Sequence, residues 1–324
     1  MNGMKKRIAV ALGLTMALSA CYDDYIKDFD HTSVYFMYQT NARTFVVGEG
    51  MSIEVGAALA GVRENRQDRV VGFQMDASLV NAKALDAMKA GAGYIREAVS
   101  GVDTLKPLPA DYFTISDNSK MVIKAGSHMG SVVIKADSAR FLKDAATIRA
   151  GYAIPFYITS ADADSIVGAK RSAVVALKYE NMLFGNYWHG GVTTVKDAAG
   201  KVVKTVKYYT TIPSPEAKIF KLKTVAPDAL VTNMISDKEG SFRITLDGNV
   251  IKISKATGST IDVMPDGAST FNRARLLQER KLFLSYKYEN EDGTTSFAQD
   301  TLTFRNRIRD GVNEWQDENP DHYK

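Results

Sequence analysis

Cysteine is almost missing from this chain of 324 residues, Cys21 being the only one. No disulfide can form within the chain, so its stability must come from hydrophobic cores. Histidine is scarce as well. His31, His128, His189 and His322 share no ligand spacing and are expected at surfaces or turns rather than around zinc. There is no G-x-S-x-G elbow, and Gly48-Glu49-Gly50 is too short and too acidic to cradle phosphate. Asp162-Ala163-Asp164-Ser165 could offer oxygens to calcium. It lacks the glycine and terminal acid of the calcium loop and reads as a solvated hairpin. A surplus of one charge is also missing. The 41 basic and 37 acidic residues give +4, and without Lys5, Lys6 and Arg7 of the leader this falls to about +1. Nothing there attracts nucleic acid. No cofactor is expected, and no internal repeat or low-complexity run is present.

What is there begins at the N-terminus. Lys5, Lys6 and Arg7 form a basic head, followed by an apolar stretch from Ile8 to Ala17 that is too short to span a bilayer. Leu18-Ser19-Ala20-Cys21 then resembles the lipobox of bacterial lipoproteins. The small Ser19 and Ala20 suit a signal peptidase cleft, and the Cys21 thiol is the nucleophile that can take diacylglycerol. A plain secretory signal with an incidental cysteine is the blander reading, which the spacing disfavours. Tyr22-Asp23-Asp24 resembles the surface-export signal of Bacteroidota lipoproteins, although an acidic solvated tether would use the same residues. The resemblance implies a signal peptide over residues 1–20, a tether over 21–31, and an outer-membrane address facing the exterior. Two or more acyl chains on Cys21 would make the membrane lipid a stable partner.

The length predicts two domains, and a hydrophobic share of 45% with a charged share of 24% fits ordinary globular modules. From residue 32 to 179 short alternating strands predominate: Val34, Phe36 and Tyr38, then Ile53, Val55, Ala57 and Leu59, and four further apolar runs out to Leu177. The spacing predicts an immunoglobulin-like β-sandwich. Residues 81–99 interrupt it with near-helical spacing at Ala84, Leu85, Met88 and Ile95, read as one or two short helical turns in a crossover loop. From residue 183 to 324 longer strands meander. Leu282, Leu284, Tyr286 and Tyr288 give the clearest alternation, and Asp247-Gly248-Asn249 marks a hairpin. Consecutive hairpins with one apolar face predict an antiparallel, lipocalin-like barrel, with a polar tail wrapping over it. The fold class is all-β.

Several runs resemble a known pair of modules. Leu108-Pro109-Ala110-Asp111-Tyr112-Phe113, the Ala125-Gly126 turn, Phe141-Leu142-Lys143-Asp144 and Tyr152-Ala153-Ile154-Pro155-Phe156 are similar to the N-terminal β-sandwich of unknown function in Bacteroidota polysaccharide-utilisation lipoproteins. There that sandwich precedes glycoside hydrolase or lectin modules. Phe184-Gly185-Asn186-Tyr187-Trp188-His189-Gly190-Gly191 and Asn306-Arg307-Ile308-Arg309-Asp310-Gly311, with Trp315, resemble its C-terminal companion. The resemblance covers nearly all of the mature chain and supplies no catalytic residues; the 81–105 segment is longer than usual. The D-x-x-D-x-D-x-E run of the family 18 hydrolases is absent, which argues against an enzyme.

Aromatic residues are the one class whose placement could carry function. Sugar rings dock their apolar faces on indole or phenol, which makes Tyr209, Trp315 and Trp188 candidate glycan contacts. For Trp188 a core position plugging the barrel end is the favoured alternative, because tryptophan is highly buried on average. The expected function is non-catalytic glycan binding or presentation at the cell surface. A docking subunit for other surface lipoproteins or a transporter is the alternative, and a cryptic glycoside hydrolase needing two facing carboxyls is the third reading.

Overall fold

The computed structural model describes residues 31–208 and 218–317. The leader, Cys21, most of the tether, Tyr209 and His322 lie outside the described residues. The first half contains strands β1 (Ser33–Tyr35), β2 (Thr40–Val47), β3 (Ser52–Ala60), β4 (Arg69–Gln74), β5 (Lys106–Pro107), β6 (Phe113–Ile115), β7 (Lys120–Ile123), β8 (Met129–Ala136), β9 (Tyr152–Ala161), β10 (Ser165–Ile166) and β11 (Ser172–Asn181). One sheet runs β10-β1-β3-β8-β6 and the other β2-β11-β9-β4-β7, with β5 beside β9. Most pairs are antiparallel, but β2 lies parallel to β11 from Thr40↔Val174 to Val47↔Asn181.

The sandwich forms because alternate residues of facing strands are apolar. In β8, Gly130, Val132, Ile134 and Ala136 are buried while their neighbours face water. Phe45 meets Phe141 edge-on at 5.2 Å, and Phe73 meets Phe156 at 5.4 Å. One expected alternation breaks. Val34 and Phe36 point inward, but β1 ends at Tyr35 and Tyr38 is left 56% exposed.

The segment read as loose helical turns is two helices, Ala82–Lys89 and Gly93–Ala98, the first capped by Asn81 through the Ala84 amide. Leu85, Met88, Ile95 and Val99 pack on the outer face of the β2-β11-β9 sheet. Ala42, Ala153 and Ala176 present small side chains there, so the helices lie close. The insertion adds a third layer to the sandwich.

The second half contains β12 (Gly185–Lys196), β13 (Val202–Tyr208), β14 (Ile219–Ala226), β15 (Ala229–Thr232), β16 (Met234–Ile235), β17 (Lys238–Glu239), β18 (Phe242–Asp247), β19 (Val250–Lys255), β20 (Val263–Pro265), β21 (Ser269–Phe271), β22 (Lys281–Glu289), β23 (Thr295–Arg309) and β24 (Val312–Glu314). Strands β12, β14, β15, β18, β19, β21, β22 and β23 pair in that order, and β23 pairs back to β12, closing a barrel. Leu282, Leu284, Tyr286 and Tyr288 all point inward. Gly191 is needed where β12 and β23 touch: its φ is +129°, and a Cβ would lie 2.1 Å from the Gln299 carbonyl oxygen.

Only Met182, Leu183 and Phe184 separate β11 from β12. The Asn181 carboxamide holds this junction, donating to the Pro227 carbonyl at 2.7 Å and accepting from the Leu183 amide at 2.9 Å. Glu49, at the turn between β2 and β3, reaches into the barrel side. It accepts from Arg307 through both carboxylate oxygens at 2.9 and 2.8 Å, and from Arg280 at 2.7 Å. All three side chains are buried. Arg307 is also paired with Glu314, and Arg280 donates to the carbonyls of Met182 and Arg275. A second contact comes from the β23–β24 turn, where Asp310 and Gly311 both have positive φ. The Asp310 carboxylate there accepts from Arg43 at 3.0 Å.

Burial alone would raise the Glu49 carboxyl pKa; hydrogen bonding and charge from Arg307, then Arg280, outweigh it and hold the group below its ordinary 4.5. Glu49→Ala strands two buried guanidinium groups and is expected to cost about 3–5 kcal/mol, read from urea unfolding midpoints. A depressed carboxyl contributes fully above its unfolded pKa and loses that contribution as pH falls through the lower folded value. The stability of the parent should therefore fall faster below pH 4.5 than that of Glu49→Gln. Parallel acid titrations of the two proteins would contradict this assignment.

Candidate functional site

Strand β12 sorts its side chains by parity. Tyr187 and His189 enter the barrel, and Trp188 faces outward, half-buried. The expected plug at the barrel end is therefore not Trp188. The inward places belong to its neighbours because both have interior partners. Tyr187 donates to the Leu183 carbonyl at 2.9 Å and meets Phe304 edge-on. His189 is not at a surface or turn as expected. Fully buried, it stacks on Tyr208 with centroids 4.5 Å apart, and its Nε2 lies 3.0 Å from Asp300 Oδ1. That contact is off the line of a good hydrogen bond, and His189 Nδ1 has no hydrogen-bond partner.

The remaining interior polar groups form a chain. The Tyr286 hydroxyl donates to Asp300 Oδ2 at 2.6 Å and accepts from the Ser236 amide at 2.7 Å. Thr193 then links the Ser236 and Tyr208 hydroxyls at 3.0 Å each. Burial first, and the adjacent Asp300 carboxylate second, push the Tyr286 phenol well above 10, so it stays a neutral donor. This network lies among the apolar side chains of the barrel core.

Trp188 stands on the outer wall of the barrel. The Arg305 guanidinium lies 5.0 Å over the Trp188 ring, a cation–π contact. Arg305 also donates to Asn306 Oδ1 at 3.3 Å, as does Asn186 at 3.2 Å, across the strand pair. The Asn306 amide in turn donates to Asn313 Oδ1 at 2.6 Å on β24. Trp315 follows two residues later and is 58% exposed. The structure thus links Trp188, through Arg305 and a ladder of three asparagines, to β24 two residues before Trp315. Sequence reasoning passed over these asparagines. The available signal was amide side chains flanking both aromatic motifs, at positions that pair only once β12 meets β23. The tail does return over the barrel, since Asp317 accepts from the Leu277 amide at 2.7 Å.

The other candidates take local roles. Asp164 accepts from the Thr32 amide and hydroxyl, both at 2.7 Å, and Asp162 from the Val70 amide at 2.8 Å. His31 pairs with the Ser165 hydroxyl, and His128 with the Val62 carbonyl. Among the described residues, no group of three or more His, Cys, Asp or Glu side chains is placed to hold a metal ion.

These features define an all-β protein in which a layered sandwich precedes a closed, eight-stranded antiparallel barrel. Residues 29–165 match a family model described as "-like, N-terminal domain". Among solved structures, a Bacteroides ovatus protein of unknown function is similar at TM-score 0.60 and 20% identity, over 89% of this chain and 99% of that one. This likeness shows a shared fold along nearly the whole length of both proteins. A second Bacteroides ovatus protein of unknown function aligns at TM-score 0.41 and 12% identity, over 88% of this chain and 100% of that one. A search of curated proteins gave no match.

The interior network yields a direct test. Tyr286→Phe leaves Asp300 Oδ2 and the Ser236 amide without their shared hydroxyl in a buried setting. The expected loss is about 1–3 kcal/mol in chemical denaturation. An unchanged midpoint would show that the network contributes nothing to stability.

Proposed function

We propose that this protein is a non-catalytic cell-surface lipoprotein that binds or presents glycans in polysaccharide utilisation. Cys21, acylated, would hold it to the outer membrane, and the barrel surface bearing Trp188, Arg305, Asn306, Asn313 and Trp315 would meet the polysaccharide. The observation carrying this reading is the hydrogen-bonded run from Arg305 through Asn306 to Asn313, between two tryptophans. Indole offers a flat apolar face for the C–H side of a sugar ring. Amides are donors and acceptors at once, which suits hydroxyl groups. Tyr209 remains a candidate contact outside the described residues.

A second reading has its own observation. Ile308 is 62% and Val312 60% exposed on the same terminal hairpin, as an apolar contact for another protein would require. On that reading the chain is a docking subunit for other surface lipoproteins or a transporter.

Affinity electrophoresis with host and plant polysaccharides separates the two. Glycan binding predicts retardation that is lost in Trp315→Ala and weakened in Asn306→Ala, with folding unchanged. The absence of retardation on every polysaccharide, with co-purification of a membrane partner that depends on Ile308, would favour docking. The anchor is checked separately: mass spectrometry of the native protein should find diacylglycerol on Cys21, and an unmodified thiol would remove the surface assignment.

A further inference from the structure

The sandwich has a cleft of its own, of about 400 Å³, lined by β3 and β8 of one sheet and by β2 and β11 of the other. Tyr38, Asn41, Arg43, Glu54, Met129 and Ser131 line it, over an apolar floor of Val55 and Val175. The rim is exposed, with Tyr38 at 56% and Met129 at 51%. Gly56 lines the cleft where β3 pairs closely with β8. A Cβ there would lie 2.7 Å from the Gly130 carbonyl oxygen.

The polar groups of the cleft are positioned by neighbours but not exhausted by them. Arg43 uses Nε for Asp310 and Nη1 for the Glu54 carbonyl, two of its five N–H donors. Asn41 Oδ1 accepts from the Tyr94 hydroxyl at 2.7 Å and the Ala42 amide at 2.8 Å, leaving its NH2 group without a described partner. Glu54 Oε2 accepts from Ser131 at 2.8 Å, which leaves Oε1. Fixed donors on β2 therefore face an acceptor on β3, beside an apolar floor and an aromatic rim. The charge count selects among ligands. Arg43 is already paired with Asp310, and among the described residues the Glu54 carboxylate has no cationic partner, so the cleft carries an unbalanced negative charge that disfavours anionic groups. A neutral ring carrying several hydroxyls satisfies the donors, the acceptor and the floor together.

We propose that this cleft is a second binding site, specific for a neutral sugar residue. It deepens the glycan reading but shares no residue with the barrel patch, so each site can fail alone. The test is saturation-transfer NMR on the full-length protein with methyl glucoside, methyl N-acetylglucosaminide and methyl glucuronide. Saturation is expected with at least one neutral glycoside and weaker saturation with the glucuronide. Ser131→Trp adds bulk from the exposed face of β8 and should abolish the signal. Tyr38→Ala should reduce it, and Trp315→Ala should leave it intact. Melting temperatures matching the parent confirm that each variant is folded. The proposal is overturned if neither neutral glycoside receives saturation, if Ser131→Trp retains the full signal, or if Trp315→Ala alone removes it. A preference for the glucuronide, or for butylamine in a parallel titration, would overturn the ligand class.

Discussion

The arrangement of the two halves depends on one buried carboxylate. Glu49 sits on a tight turn of the sandwich, yet both of its partners belong to the barrel side. Each guanidinium is too costly to bury alone, and each has other acceptors that fix its direction. Because Arg307 meets Glu49 through two parallel hydrogen bonds, the contact sets an angle as well as a distance. A connection of three residues leaves little slack, and the Asp310–Arg43 contact adds a second point of attachment. Two separated points and a short tether define an orientation, which a single contact would not.

That orientation decides what the surfaces can do. The terminal hairpin carries Asn313 and leads to Trp315 on one side, while its tip meets the sandwich through Asp310. The barrel patch and the sandwich cleft therefore meet the terminal hairpin at different points, Asn313 and Asp310. The helical insertion touches the cleft only through Tyr94, which donates to Asn41, and is otherwise a cover. Its apolar residues cover a sheet face whose alanines would otherwise meet water, and that cover explains the length of the segment without a ligand.

Much of the fold is legible in the residues, for a definite reason. Where one face is buried and the other solvated, alternation shows directly, as from Leu282 to Tyr288 and from Phe242 to Leu246. Strand β2 gives no such signal because it is buried against three neighbours at once. Ala42 lies under the helices, Phe45 in the sandwich core, and Val46 in the barrel core. Alternation also leaves parity open. The Tyr187-Trp188-His189 run is readable as a strand, but which member faces inward is settled only when β12 pairs with β23, more than a hundred residues away. The Glu49 clasp is illegible for the same reason. Gly48-Glu49-Gly50 looks like an ordinary solvated turn until residues 231 and 258 positions later fold against it. Of the site, the two tryptophans were visible as candidates, whereas the asparagine ladder exists only through strand pairing.

The same separation orders events during synthesis. A chain made from its N-terminus at roughly 5–20 residues per second exposes the Glu49 turn for some tens of seconds before Arg307 is made. For the latter half of that interval, once β11 is made, the sandwich has all its strands while its acidic turn still lacks its partners. The late guanidinium groups then convert a tethered pair into a single particle, and assembly ends only when the last hairpin closes.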